Sequence, residues 1–360
     1  MRLNKPCKHL FITLSLLFMI TIPMKTSAAP LTDEELKILN DSLSIIEIDR
    51  EVSRIENRQK ETQQSVSQLS EQLGYKNEQI KTSRDAAGKR LAAYYMGERE
   101  TLLGALLSAN SLHDFFTILD YYQIIAERDH YVLDTYQNEY ASLKQTKDKL
   151  EKMTSDLETI KDNLLKQRER VAALQQSVDG SLSSSVDPEK LQAMIEEMTL
   201  YWENVGLYEV RRYFRALAAA MSDFPDFMQE HESSLTSDKN GYTIVVQESD
   251  LNDFLHSKNE LLTNMSFQFD EGIITAQGSR EGINLKVEGH YTVENEPQNC
   301  IVFHVDRLLF NGLDLPDTTR KELETDFDLG FYPKKIVPFV EATEATIHKG
   351  TLIIKLKIAL

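Results

Sequence analysis

The residues that could do covalent or metal chemistry are few, and their spacing does not favour it. A cysteine nucleophile needs a thiolate at a helix start with histidines downstream to activate it. Cys300 instead opens CIVFHVDRLLF, whose alternation reads as a strand, so a buried strand cysteine is expected there. A catalytic zinc site needs histidines and an aspartate at ligand spacing, such as H-x-H with a distant H-x-x-x-D, and one position left for water. His304 and Asp306 stand two apart on one strand face without a partner motif, and His290 and His348 stand isolated, so surface or edge-strand roles are expected. No Gly-rich phosphate loop and no G-x-S-x-G elbow occurs. Glycoside hydrolysis asks only for two carboxylates, which a chain with 57 acidic residues always offers. The expectation is a chain with no catalytic, cofactor or metal residues, and a hydrolase with an unrecognised site is kept as a third reading.

The elements around these residues begin with an export signal. Arg2, Lys5 and Lys8 precede an apolar run from Leu10 to Met24, and the small residues Ser27, Ala28 and Ala29 follow. That order is the order of a secretory signal peptide. The run is shorter than the roughly 20 residues a helix needs to span a bilayer. Pro30 makes the bond before it a poor cleavage substrate, so residues 1–28 are expected to leave and Ala29 to become the N-terminus. Cys7 leaves with them. Loss of Arg2, Lys5, Lys8 and Lys25 takes the formal charge from −17 to −21, which makes nucleic acid and anionic membrane surfaces poor partners. With Cys300 alone left, no intrachain disulfide can form and packing must supply stability.

From Leu31 to Val178 there is no proline, and the stretch reads as helix nearly throughout. Counting in sevens gives Val52, Gln59, Val66, Leu73, Ile80, Ala87 and Tyr94, interleaved with Ile48, Ile55, Thr62 and Leu69, and fading at Lys76, Ser83 and Arg90. A second register runs Phe115, Tyr122, Asp129, Tyr136, Leu143, Leu150, Leu157, Leu164, Val171 and Val178, interleaved with Ile118, Ile125, Val132, Met153, Ile160 and Leu174. Sustained 3.5-residue spacing predicts a coiled coil over 29–178, and glycines and Ser-Ala-Asn-Ser punctuation predict a bend over 95–111. Ser111 with Asp114 predicts the second N-cap. Helices of roughly 75 Å and 100 Å follow at 1.5 Å per residue, so the second is expected to overhang the first, which invites homodimerisation. Polar residues at Gln59, Thr62, Asp129 and Gln167 are expected to weaken the seam and fix its register.

The bend is rich in apolar residues: Leu102, Leu103, Leu106 and Leu107 fall on one face, with Leu112, Phe115 and Phe116 just after. Two readings stand. The cluster closes the hairpin as a small local core, or part of it stays exposed to dock an apolar partner helix.

The segment Lys89-Arg90-Leu91, Tyr94/Tyr95, Gly97, Leu106-Leu107-Ser108, Ser111-Leu112, Asp114-Phe115-Phe116, Leu119-Asp120, Ile125 and Asp129 resembles the N-terminal coiled-coil domain of the PcsB and CwlO peptidoglycan hydrolases, and more distantly EnvC. Ile118 departs from the basic residue many of those proteins carry. The resemblance implies a regulatory coiled coil that contacts the extracellular loop of FtsX, in the FtsEX complex, and controls a wall hydrolase.

Past the coiled coil, SVDGSLSSSVDP predicts a linker over 179–187, and Asp187-Pro188 starts a new helix. Residues 188–360 are expected to form an α+β domain, helical over 188–231 with breaks at Gly206 and Pro225. Mostly antiparallel strands are expected over 241–360, at Tyr242–Gln247, Met265–Phe269, Ile273–Gln277, Ile283–Val293, Cys300–Phe310, Ile336–Ile347 and Leu352–Ile358. The Ser249–Leu255 helix start, the Val287–Tyr291 strand and Gly312–Pro316 before a helix resemble YpmS-like and LmeA-like extracytoplasmic domains of the TULIP-like group. That resemblance implies a cleft for an acyl chain or other hydrophobic ligand. An ordinary packed core is the alternative. Two functional readings follow: a non-catalytic regulator of peptidoglycan hydrolysis in the bacterial envelope, or an envelope lipid binder that uses the coiled coil as spacer or dimerisation element.

Overall fold

The structure is a computed structural model, and it describes residues 31–97, 104–230, 235–238, 241–296, 298–336 and 338–359. The expected signal peptide lies outside them. No helix among the described residues is long and apolar enough to cross a membrane.

The architecture is helical first and α+β after. Helix α1 spans Asp33–Tyr95 and α2 spans Leu112–Ser184. A capping box starts α1: Glu35 N–H donates to Thr32 Oγ1 at 3.2 Å, and Thr32 N–H donates to Glu35 Oε2 at 2.8 Å. At the start of α2, Ser111 Oγ accepts from Asp114 N–H at 3.1 Å. The two helices lie side by side in opposite directions, because cross-helix partners fall in α2 as they rise in α1. Lys37 meets Ser177, Glu56 meets Arg168, Lys76 meets Ser142 and Arg90 meets Asp129. The residues turned toward the partner follow the expected spacing: Ile48, Val52 and Ile55 bury against Ile160 and Leu164, with Val171 and Leu174 beside them. Tyr94 departs from the register and is exposed, where α1 is about to end.

Two expectations change along this helix pair. The helix runs through 179–184, so the expected linker shrinks to Ser185–Asp187. Ser183 and Ser184 hydroxyls donate back to the Gly180 carbonyl, which lets a serine-rich stretch stay helical. The expected overhang narrows, because α1 is 63 residues, roughly 95 Å, against 73 residues, roughly 110 Å, for α2, and the first turns of α1 cover the end of α2. Ile38 packs there with Val178 and with Leu191 of the next helix.

That helix, α3, spans Pro188–Tyr201, capped by Asp187 Oδ1 accepting from Lys190 N–H at 3.1 Å. A π-helical turn, Trp202–Gly206, leads straight into α4, Leu207–Glu230. The break expected at Gly206 is therefore a wider turn. A Cβ on Gly206 would lie 2.5 Å from the Trp202 ring and about 3.0 Å from Phe310, so only glycine lets the indole fold inward. Pro225 does not end α4 either. A proline inside a helix costs about 3 kcal/mol, and burial of Met221, Phe224 and Met228 around it offsets that cost.

The remaining elements are β1 Leu235–Asp238, β2 Gly241–Gln247, α5 Glu248–Lys258, β3 Met265–Asp270, β4 Ile273–Arg280 and β5 Ile283–Glu294. After them come β6 Cys300–Phe310, β7 Leu313–Asp314, α6 Asp317–Asp326, β8 Val340–His348 and β9 Thr351–Ile358. Residues 336, 338 and 339 are not strand as expected, and a short 3-10 turn at Pro333–Lys335 precedes them. Every strand pair is antiparallel, in two sheets ordered β1-β2-β9-β8 and β3-β4-β5-β6-β7. The β6–β7 hairpin turns on Asn311-Gly312, both at positive φ, the backbone of a two-residue primed turn. Helix α5 closes the β3 edge, where Asn252 exchanges two hydrogen bonds with the Phe267 backbone and Glu248 accepts from Phe269 N–H.

Helix α4 lies against the sheets with Val210, Phe214, Leu217, Met221 and Phe224 facing strand residues such as Phe267, Val287, Val305 and Ile354. The cavity left between α4, α5 and the sheet is about 50 Å³ and apolar, lined by Phe214, Met221, Leu255, Phe267, Val287 and Phe303 among others. Ligand pockets run to about 300–1,000 Å³, so this region is a filled core with α4 occupying it.

Candidate partner-binding surface

The seven apolar residues expected at the bend meet different fates. Leu102 and Leu103 lie outside the described residues. Leu106 and Phe115 are half-buried. Leu107, Leu112 and Phe116 are 87 %, 78 % and 58 % exposed. Some of the cluster therefore packs, and the rest faces solvent.

Local chemistry sets that division. Residues 104–107 are helical, and the Ser111 cap restarts the chain as α2, with its hydroxyl also donating to Asp114 Oδ2 at 2.7 Å. From that start Leu112, Phe116 and Leu119 follow at i, i+4 and i+7, one face of the helix, and all three are exposed. Phe115 and Ile118 are half-buried. The Phe115 and Phe116 rings meet edge to face, centroids 5.6 Å apart, so the exposed ring is held by the packed one. Leu91, Tyr95 and Met96 at the end of α1 are exposed as well. Sequence reasoning placed Tyr95 only in a resemblance and omitted Met96. Their proximity to the helix end, with Gly97 at φ 75, is the signal that could have added them.

Just below the tip the polar seam residues pair with each other. Arg90 Nε lies 3.3 Å from Asp129 Oδ1, and the Asp129 side chain is almost wholly buried. Lys76 Nζ donates to Ser142 Oγ and Thr146 Oγ1, both at 2.7 Å. Lys76 and Arg90, two of the places where the first register fades, are thus paired with polar groups of α2.

At the other end of the helix pair, α1 enters the main core with Leu39 and Leu43. Beside them Glu47 is buried and receives three donors: Trp202 Nε1 at 2.6 Å, Thr319 Oγ1 at 2.6 Å and Arg50 Nη2 at 2.8 Å. Sequence reading assigned Glu47 nothing, since a lone glutamate beside a heptad gives no signal.

Cys300 is buried in β6, and burial pushes its thiol up, away from the thiolate a nucleophile needs. His290 is not isolated: it sits opposite His304 on the adjacent strand, ring centroids 5.3 Å apart. His290 Nδ1 lies 2.7 Å from Asp306 Oδ2, and His304 Nε2 lies 2.7 Å from Thr292 Oγ1. His348 lies 3.4 Å from Glu271. No group of three His, Cys, Asp or Glu among the described residues is arranged to hold a metal ion.

Compared with protein-family models, curated proteins and solved structures, the chain matches none.

Proposed function

We propose that this chain is a non-catalytic, extracytoplasmic adaptor of peptidoglycan hydrolysis. Its α1–α2 pair works as an antiparallel coiled-coil hairpin, the tip docks on the extracellular loop of FtsX, and the C-terminal domain faces a wall hydrolase. The observation that carries the reading is the exposure of Leu107, Leu112 and Phe116 at the end of a long helix pair, where solvent gives apolar residues no return. The heptad burial along both helices supports the coiled coil, and the residues from Lys89 to Asp129 supply the resemblance that names the partner. In the test, purified FtsX loop is used to pull down the mature chain and its Leu112→Glu, Phe116→Glu variant. Retention of the parent and loss of the variant is expected, and equal retention of both would overturn the docking site.

A further inference from the structure

We propose that the junction between α1 and the C-terminal domain is a locked joint, so that the helix pair and the domain move as one stiff arm. This goes beyond the adaptor reading and holds whichever partner the tip takes.

Three layers build the joint. The first is apolar: Leu39 and Leu43 of α1 belong to the same core as Trp202, Phe214 and Phe310, so α1 is part of the domain's interior. The second is the Glu47 carboxylate, which gathers the Trp202 indole, the Thr319 hydroxyl and the Arg50 guanidinium from the π-turn, α6 and α1 itself. A buried carboxylate with its oxygens so occupied tolerates little displacement, because any rotation of α1 strips a charged group of partners in a dry site. The third layer lies just outside. Glu322 of α6 accepts from Arg50 at 2.6 Å and from Arg211 of α4 at 2.9 Å, with Arg54 at 3.3 Å, and Arg211 also reaches Asp326 at 2.6 Å. Around the rim, Asp314 N–H donates to Asn40 Oδ1 at 2.6 Å, Arg170 of α2 meets Asp317 at 2.9 Å, and Lys190 meets Glu35 at 3.0 Å. The contacts reach α1 from several sides, which removes the single axis a hinge needs.

The consequence is mechanical. The hairpin cannot swing about its base, so a displacement taken up at Leu112 and Phe116 rotates the C-terminal domain with it. Any give along the arm falls further out, near Lys76 and Thr146, where the seam is polar.

The test uses the mature chain with Cys300→Ala and nitroxide labels at Glu61→Cys on α1 and Lys321→Cys on α6, both exposed. Electron–electron spin-distance measurement is expected to give one narrow distribution. Adding Glu47→Ala is expected to widen it and add a second, longer component. If that variant does not fold by circular dichroism, Glu322→Gln, which leaves the core intact, is expected to widen the distribution to a lesser degree. A broad or two-component distribution in the parent would overturn the joint. So would an unchanged distribution in a folded Glu47→Ala or Glu322→Gln variant.

Discussion

The base and the tip of one helix pair are built for opposite purposes. At the base, Ile38, Leu43 and Ile48 are wholly buried, and even the charged Glu47 is sealed in with matched donors. At the tip, leucines and a phenylalanine face water, and just below them a half-exposed Arg90 pairs with the buried Asp129. The same helical repeat thus carries stability where it meets the domain and leaves apolar surface unspent where it does not. Stability and binding should separate on mutation along one pair of helices.

The largest effect is expected at the base. Trp202→Ala removes a buried indole that packs on Phe310 at 5.0 Å and donates to Glu47, and denaturant unfolding should show a loss of about 3–5 kcal/mol. Leu164→Ala, in the apolar part of the seam, should lose less, within the lower half of the about 2–5 kcal/mol range for such truncations. A result of the opposite sign is expected further out. Replacing both Lys76 and Thr146 by leucine substitutes apolar packing for a polar cluster, and the melting temperature should rise by the equivalent of about 1 kcal/mol. A fall would show that the polar seam contributes stability as well as register, and would erase half of the contrast.

Acid should act most weakly, and at the base it acts on two carboxyls that folding lowers. The Thr32 backbone N–H and then the Lys190 ammonium hold Glu35 below its usual value. Burial pushes Asp317 up, but the hydrogen bond and charge of Arg170 outweigh it and leave it lowered. Both carboxyls are lowered on folding, so their contribution is whole above the unfolded values near pH 4 and is lost as pH falls through the folded ones. Urea midpoints should hold from pH 7 to 5 and fall below about pH 4. The fall should shrink in an Asp317→Asn variant.

Element types were largely legible in the sequence, because period and turn chemistry are local. The long helix started by Ser111, the Asp187-Pro188 helix start and the Asn311-Gly312 hairpin all lie where local rules put them. What sequence misjudged depended on contacts distant along the chain. Gly206 and Pro225 stay within one continuous helical run because Trp202, Phe224 and the sheet beneath them hold it. His290 gained His304 only through strand pairing. Glu47 gained meaning only when Trp202 and Thr319 arrived from more than 150 residues away. The bend residues were legible as apolar, but which of them face water was not, since the adjacent Phe115 and Phe116 differ in burial only once the chain is folded.

The division between base and tip is tested most directly by titrating the FtsX loop into the mature chain and into Leu112→Glu, Phe116→Glu by calorimetry, with both proteins melted in the same buffer. The expected result is a saturable heat for the parent, none for the variant, and melting curves that coincide, since exposed substitutions change stability by no more than about 0.5 kcal/mol. Equal heats for the two proteins, or no heat for either, would contradict the account.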